Sequence, residues 1–413
     1  MHDVAFSPDG KHLVSVGADT KIVLYDGKTG VKSRVFPGDG HKGSIFAVGW
    51  DKASSKVVTA SADQTVKLWD VEAGKVVESW TFGHGISIPH QQVGVVFTTS
   101  SAAPIISLSL SGDLTYLEPS SAKPIRTLHG HQKSINALAA TPDFRTVFSG
   151  SYDGRVCAWD VASGNADVVS ETGGGVVQFT AADKTAWSVS QDDVLKDIDV
   201  GKLSLGGTSA TGSTPRGVSA QDGETVFLAT ITDVQVLERG KKIVQEKTKF
   251  TPSAIAANPA VKGEFAVGAE DTKVYIYTHS ESNLKLKATL TASRASISAL
   301  AYNPQGTFLA VGDSSGKILL YTVSGGEATL KTSRWAFHVS RITSLAFNAA
   351  GTRCVSGSLD TNVYVWSTES VGKYVAIKGA AKDGVWGVAW VGDGRVVSAG
   401  GDGAVKVWEI EFK

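Results

Sequence analysis

The chain has 413 residues, with 40 Lys plus Arg against 40 Asp plus Glu, so it can bury large cores while carrying no net field that draws it to nucleic acid or to a membrane surface. Its 2 cysteines exclude a disulfide scaffold and fit a reducing compartment. No apolar run approaches the roughly 18 residues of a membrane span, and the opening MHDVAFSPDG lacks a signal-peptide pattern, so the expected location is the cytoplasm.

Residues 4–30, VAFSPDGKHLVSVGADTKIVLYDGKTG, set a pattern of alternating runs separated by turn residues and closing on Tyr25-Asp26. Such alternation marks half-buried strands, and Pro-Asp-Gly marks the turn between them. Only Met1, His2 and Asp3 stand before the first strand, so the chain is expected to begin inside a repeat. The second unit carries a full polar set in His41, Ser61, Asp63 and Trp69. The third is degenerate, with Ser111-Gly112-Asp113 at its turn and an approach over residues 83–92, rich in His, Gly and Pro, that reads as an exposed loop. The fourth, residues 128–160, is the most complete copy: Gly130-His131, then Ser151-Tyr152-Asp153-Gly154, then Trp159-Asp160.

The fifth unit keeps Ser190 and Asp192, and in the sixth Ile231 replaces the turn aspartate. These two read as the softer units, and residues 201–217 between them as a mobile Gly/Ser/Thr-rich connection. The seventh passes through Glu270-Asp271 to Tyr277, and the eighth through Gly312-Asp313-Ser314-Ser315-Gly316 to Tyr321. The ninth is complete again, with His338, Ser358, Asp360 and Trp366; the tenth keeps Asp402 and Trp408, lacks the histidine and stops at Lys413. Cys157 and Cys354 fall on strands as small core residues.

A unit of roughly 40–45 residues with Gly-His early and Trp-Asp late is the signature of a WD repeat, one four-stranded blade of a β-propeller. The fold class is therefore all-β. Ten units exceed the usual ring of about 4–8 blades, and the economical partition is a complete seven-bladed ring over residues 123–413 preceded by three blades of an incomplete ring over residues 1–122. On this reading the chain either lacks about four N-terminal blades or has its three-blade arc completed by another molecule. The last unit has no fourth strand of its own. Residues 123–128 (KPIRTL) or an upstream segment are the alternatives for closing the second ring.

Three sets, His41/Ser61/Asp63/Trp69, His131/Ser151/Asp153/Trp159 and His338/Ser358/Asp360/Trp366, place histidine, serine and aspartate together. They read as buried hydrogen-bond networks that pin a blade, not as a hydrolase triad, because they recur at the repeat spacing. The Gly312–Gly316 segment matches G-x-S-x-G but falls at an inter-strand turn. No ligand spacing suggests a metal, and no cofactor is expected. Trp335, Phe337 and Trp386 read as packing between blades. The residues just before the turn aspartates, Tyr152, Gln191, Glu270 and Leu359, face outward on one rim and are the candidates for partner binding.

VAFSPDGKHLVSVGADTKIVLYDGKTG, SIFAVGW with ASADQTVKLWDVEAGKVV, HQQVGVVF, WAFHVSRITSLAF and SAGGDGAVKVWEIEF together resemble the actin-interacting protein 1 family over essentially the whole chain. The resemblance implies two seven-bladed rings, of which this chain would lack the first four blades. It also implies a noncatalytic, monomeric protein that binds actin filaments decorated with cofilin and promotes their disassembly. The alternative is a general WD-repeat scaffold, such as a ubiquitin-ligase substrate receptor or a signalling adaptor.

Overall fold

A computed structural model describes residues 1–36, 40–83, 85, 87–98, 105–171, 173–280, 283–324 and 327–412. Lys413, and His84 and Ile86 of the 83–92 connection, lie outside the described residues. Ten antiparallel sheets follow in chain order; blades 1 to 10 begin with the strands Asp3–Phe6, Ile45–Trp50, Gln92–Phe97, Ile135–Ala140, Val176–Ala181, Pro215–Ala220, Pro252–Ala257, Ile297–Tyr302, Ile342–Phe347 and Val385–Trp390. Among the described residues the helical element is the short 3-10 turn Ile88–His90. The chain divides into two compact units, Met1–Gly130 and His131–Lys413.

In the first unit, the cores of blades 1 to 3 form between neighbours. Val14, Leu24, Ile45 and Trp69 lie between blades 1 and 2, and Leu68, Trp80, Ile105 and Leu117 between blades 2 and 3. Three blades share two such interfaces, so two apolar faces stay open: Val4 and Phe6 are exposed on blade 1, and Val96 and Leu114 on blade 3. Strand Arg126–Leu128 is the fourth strand of blade 3, paired with Leu114–Leu117. Residues 123–128 therefore do not complete blade 10, because their backbone groups are already engaged within the first unit. The boundary falls at Gly130/His131 and not at the expected 122/123.

In the second unit, the innermost strand of each blade packs on that of the next, and Val385–Trp390 of blade 10 packs on Ile135–Ala140 of blade 4. The ring of seven closes there although blade 10 has three strands and its neighbours four. Apolar packing of Ile135, Leu138, Val391 and Val397 makes the closure, with Ser134 donating to the carbonyl of Gly401 at 3.3 Å. Gly387 is required at this seam, since a Cβ there would lie 2.5 Å from the Cβ of Leu138.

Residues 201–217 are not a flexible connection. Ser204–Ala210 is the outer strand of blade 5, paired with Val194–Asp199, and Gly206 and Gly207 leave room for the Asp197 carboxylate, which a Cβ at Gly206 would meet at 2.2 Å. Composition suggested a linker, whereas the glycines accommodate a cross-strand side chain. Cys157 and Cys354 are buried in the core and are not joined in a disulfide.

Candidate functional site

The three pinned blades share one geometry. In blade 4, His131 Nδ1 faces the Asp153 carboxylate at 3.2 Å, which places the ring proton there and leaves Nε2 to accept from the Ser149 hydroxyl at 2.8 Å. Ser149 Oγ in turn accepts from Trp159 Nε1 at 2.6 Å. Blade 9 repeats this with His338, Asp360, Ser356 and Trp366, both serine contacts being 2.8 Å. Blade 2 uses Thr59, bonded by His41 at 2.7 Å and by Trp69 at 2.8 Å.

The hydroxyl in each network is thus two residues earlier than Ser61, Ser151 and Ser358, the serines assigned from sequence. Those three donate instead to the carbonyls of Gly43, Lys133 and Ser340 and accept from the amides of Asp63, Asp153 and Asp360. The reason is register: Ser149 and Ser151 project from the same face of their strand, and the indole of Trp159 reaches back to the nearer one. Burial is the largest single influence on Asp63 and opposes its ionisation, but hydrogen bonds from His41 and Thr65 outweigh it and hold its carboxyl far below the ordinary range. Asp153 and Asp360 are held low by the same balance. Burial depresses His338 more than Asp360 raises it, so the imidazole is neutral. These groups are engaged in hydrogen bonds with one another within each blade.

Blades without the histidine carry substitutes. In blade 6, Asp233 accepts from Thr230, Gln235 and Gln245 at 3.0, 2.9 and 2.8 Å; the turn aspartate has moved two residues along. Blade 8 uses Ser293 against Asp313 at 3.2 Å. In blade 10, Trp408 still donates to Ser398 at 2.8 Å. Ser314, the central serine of the G-x-S-x-G match, sits exposed in the hairpin between Phe308–Asp313 and Ile318–Ser324, where a strand-to-helix elbow is impossible.

The candidate surface is one mouth of the channel through the seven-bladed ring. Tyr152, Gln191, Glu270 and Leu359 are fixed there by a repeated bond: their backbone amides donate to the carbonyls of Ser134, Gly175, Thr251 and Arg341 at 2.9 to 3.1 Å. Tyr152, Gln191 and Leu359 line a cavity of about 460 Å³ at this mouth. Glu270 joins them through Arg216, 3.8 Å away, which lines the same cavity.

A second layer comes from bulges. Every innermost strand of the ring breaks register at its second residue, between Ile135 and Ala137 in blade 4 and at the matching place in the other six. A bulge re-aims its side chain, and here all of the bulged residues point into the channel. Four of them tie their blade to the next: Ser253, Ser298 and Thr343 each donate at 2.6 Å to the first residue of the following innermost strand, and Asn136 does so at 3.2 Å. Trp386 is one of the remaining bulged residues and lines the channel. Trp335 is fully buried against Trp366, ring centroids 5.4 Å apart, while Phe337 is half exposed, stacks over Trp366 and meets the Tyr374 ring at a tilt.

The WD domain, G-beta repeat model matches residues 1–26, 30–70, 122–160 and 372–409, and the Anaphase-promoting complex subunit 4 WD40 domain model matches residues 264–350. An uncharacterized WD repeat-containing protein of Schizosaccharomyces pombe is 40% identical over 100% of this chain and 68% of its own length. The 66 kDa stress protein of Physarum polycephalum is 34% identical over 99% of this chain and 68% of its own. Actin-interacting protein 1 of Drosophila melanogaster is 32% identical over 99% of this chain and 67% of its own length. The chain belongs to the actin-interacting protein 1 family.

For this family member the sequence located the mouth residues on turns, and the structure brings all four to one rim. It missed Arg216 and Arg341. Their signal was present but weak: each is a cation at the start of an innermost strand, where the other blades of the ring carry uncharged residues.

Proposed function

We propose that the protein is a noncatalytic actin-filament-binding protein that acts with cofilin to promote filament disassembly, as a monomer in the cytoplasm at the actin cytoskeleton. The observation that carries this reading is similarity over nearly the whole chain to proteins named Actin-interacting protein 1, from both Drosophila melanogaster and Caenorhabditis elegans. The site chemistry is compatible with it, since the histidines and aspartates that resemble catalytic groups are committed to blade networks. The channel mouth then serves as a docking surface, with Tyr152 and Leu359 as anchors and Gln191 and Glu270 as adaptable polar contacts.

Co-sedimentation with actin filaments tests the proposal. The chain is expected in the pellet with cofilin-decorated filaments and to a smaller extent with bare ones, and filament length should fall when both proteins are present. Absence of cofilin-dependent pelleting, with ubiquitin-ligase subunits co-purifying instead, would favour the general scaffold.

A further inference from the structure

Arg216 occupies a bulge position at which four other blades of the ring place a short polar side chain that ties them to their neighbour. An arginine there makes no such tie. It projects into the channel mouth, where it meets Glu270 at the long separation of 3.8 Å. Arg341 stands directly before the innermost strand of blade 9 and lines the same cavity. Among the described residues, Glu270 is the carboxylate paired with this arginine couple, so two guanidiniums face one counter-charge. Partial burial, and next the like charge of Arg216, both work against the Arg341 cation. Two like charges held together at the mouth of a ring, with one long ion pair between them, cost stability unless a further anion relieves them. Beside them the mouth offers apolar surface from Tyr152, Leu359 and Trp386.

We propose that this mouth binds an acidic peptide segment of a partner protein, its carboxylates held by Arg216 and Arg341 and an adjacent apolar side chain seated on Tyr152, Leu359 and Trp386. The planar guanidinium fork suits a carboxylate, and charge complementarity selects an acidic chain over a basic one. Glu270 acts as the internal competitor that occupies Arg216 while the site is empty. The inference rests on reading the mouth as a docking surface. It is independent of actin, because pelleting with filaments and capture of a short peptide fail separately.

The test uses the full chain and degenerate synthetic peptide pools with Glu, phosphoserine, Gln or Lys fixed at the central positions and the flanks randomised over polar and apolar residues. Binding is read by fluorescence anisotropy at low and at raised salt. The Glu pool is expected to bind about tenfold more tightly than the Gln pool, a difference of about 1.4 kcal/mol, and to weaken with salt. Arg216→Gln and Arg341→Gln should each remove most of that preference without lowering the melting temperature, and Glu270→Gln should strengthen binding of the Glu pool. Equal binding of the Glu and Gln pools, a Glu preference that survives both arginine substitutions, or preference for the Lys pool would overturn the proposal. Binding confined to the phosphoserine pool would overturn the carboxylate assignment in favour of a phosphate reader.

Discussion

Removing the hydroxyl of Ser149 leaves two buried groups without a partner, His131 Nε2 and Trp159 Nε1. Ser151 also bonds twice, to the Lys133 carbonyl and from the Asp153 amide, but at the rim of the blade. Orphaning a buried polar group costs about 1–3 kcal/mol. Ser149→Ala is therefore expected to destabilise the second unit by about 3 kcal/mol and Ser151→Ala by about 1 kcal/mol, read as shifts in the urea midpoint. The reverse order would return Ser151 to the centre of the network. The histidine, aspartate and tryptophan of each set were legible because they occupy turn and strand-end positions with a fixed spacing. The hydroxyl was not, because residues two apart on a strand are equivalent by alternation, and only the stagger against the third strand distinguishes them.

Blades differ in how they are held more than in how they are shaped. Blade 6 looked bare in sequence because Ile231 stands at the expected aspartate position, yet Asp233 with Thr230, Gln235 and Gln245 provides a buried polar cluster of its own. Beyond these internal pins, the bulged residue of one blade bonds the next. The single hydroxyl proton of Thr343 is shared between the carbonyl of Val385 in blade 10, at 2.6 Å, and that of Gly357 in its own blade, at 3.0 Å. Thr343→Val keeps the shape, removes both bonds, and should lower stability by about 1–2 kcal/mol. An unchanged thermal midpoint would show that the inter-blade tie carries no net energy. Blade 5 has Val177 at this place, and its ties to blade 6 come from further along the strand, where Gln178 Oε1 and Thr180 Oγ1 accept from the amides of Val218 and Ala220 at 3.1 and 3.2 Å, beside apolar packing of Trp187, Leu195, Val218 and Leu228. The polar ties orient the blades, while burial of such side chains, at about 25 cal/mol per Å², contributes more of the stability.

At the scale of the molecule, the decisive event is closure of the ring between blades 10 and 4. Among the described residues that seam is made by the innermost strands, and it depends on the absence of a side chain at residue 387. Gly387→Ala would set a Cβ 2.5 Å from the Leu138 Cβ and 3.1 Å from the Leu138 backbone nitrogen. Overpacking of this kind costs about 1–3 kcal/mol, and a matching fall in the melting temperature is expected; full retention of stability would mean that the seam is looser than its geometry. Among the described residues the three blades of the first unit pack as neighbours 1 on 2 and 2 on 3, and Val4, Phe6, Val96 and Leu114 remain in contact with solvent. The strands, their turns, the repeat and the pinned blades could be read from the chain alone, because alternation and turn chemistry act over a few residues. It took the tertiary structure to assign residues 126–128 to blade 3, to select the hydroxyl that joins each histidine, and to bring Arg216 and Arg341 to one channel mouth. Those outcomes depend on strand register and ring closure, which bring together residues far apart along the chain and leave no local mark on it.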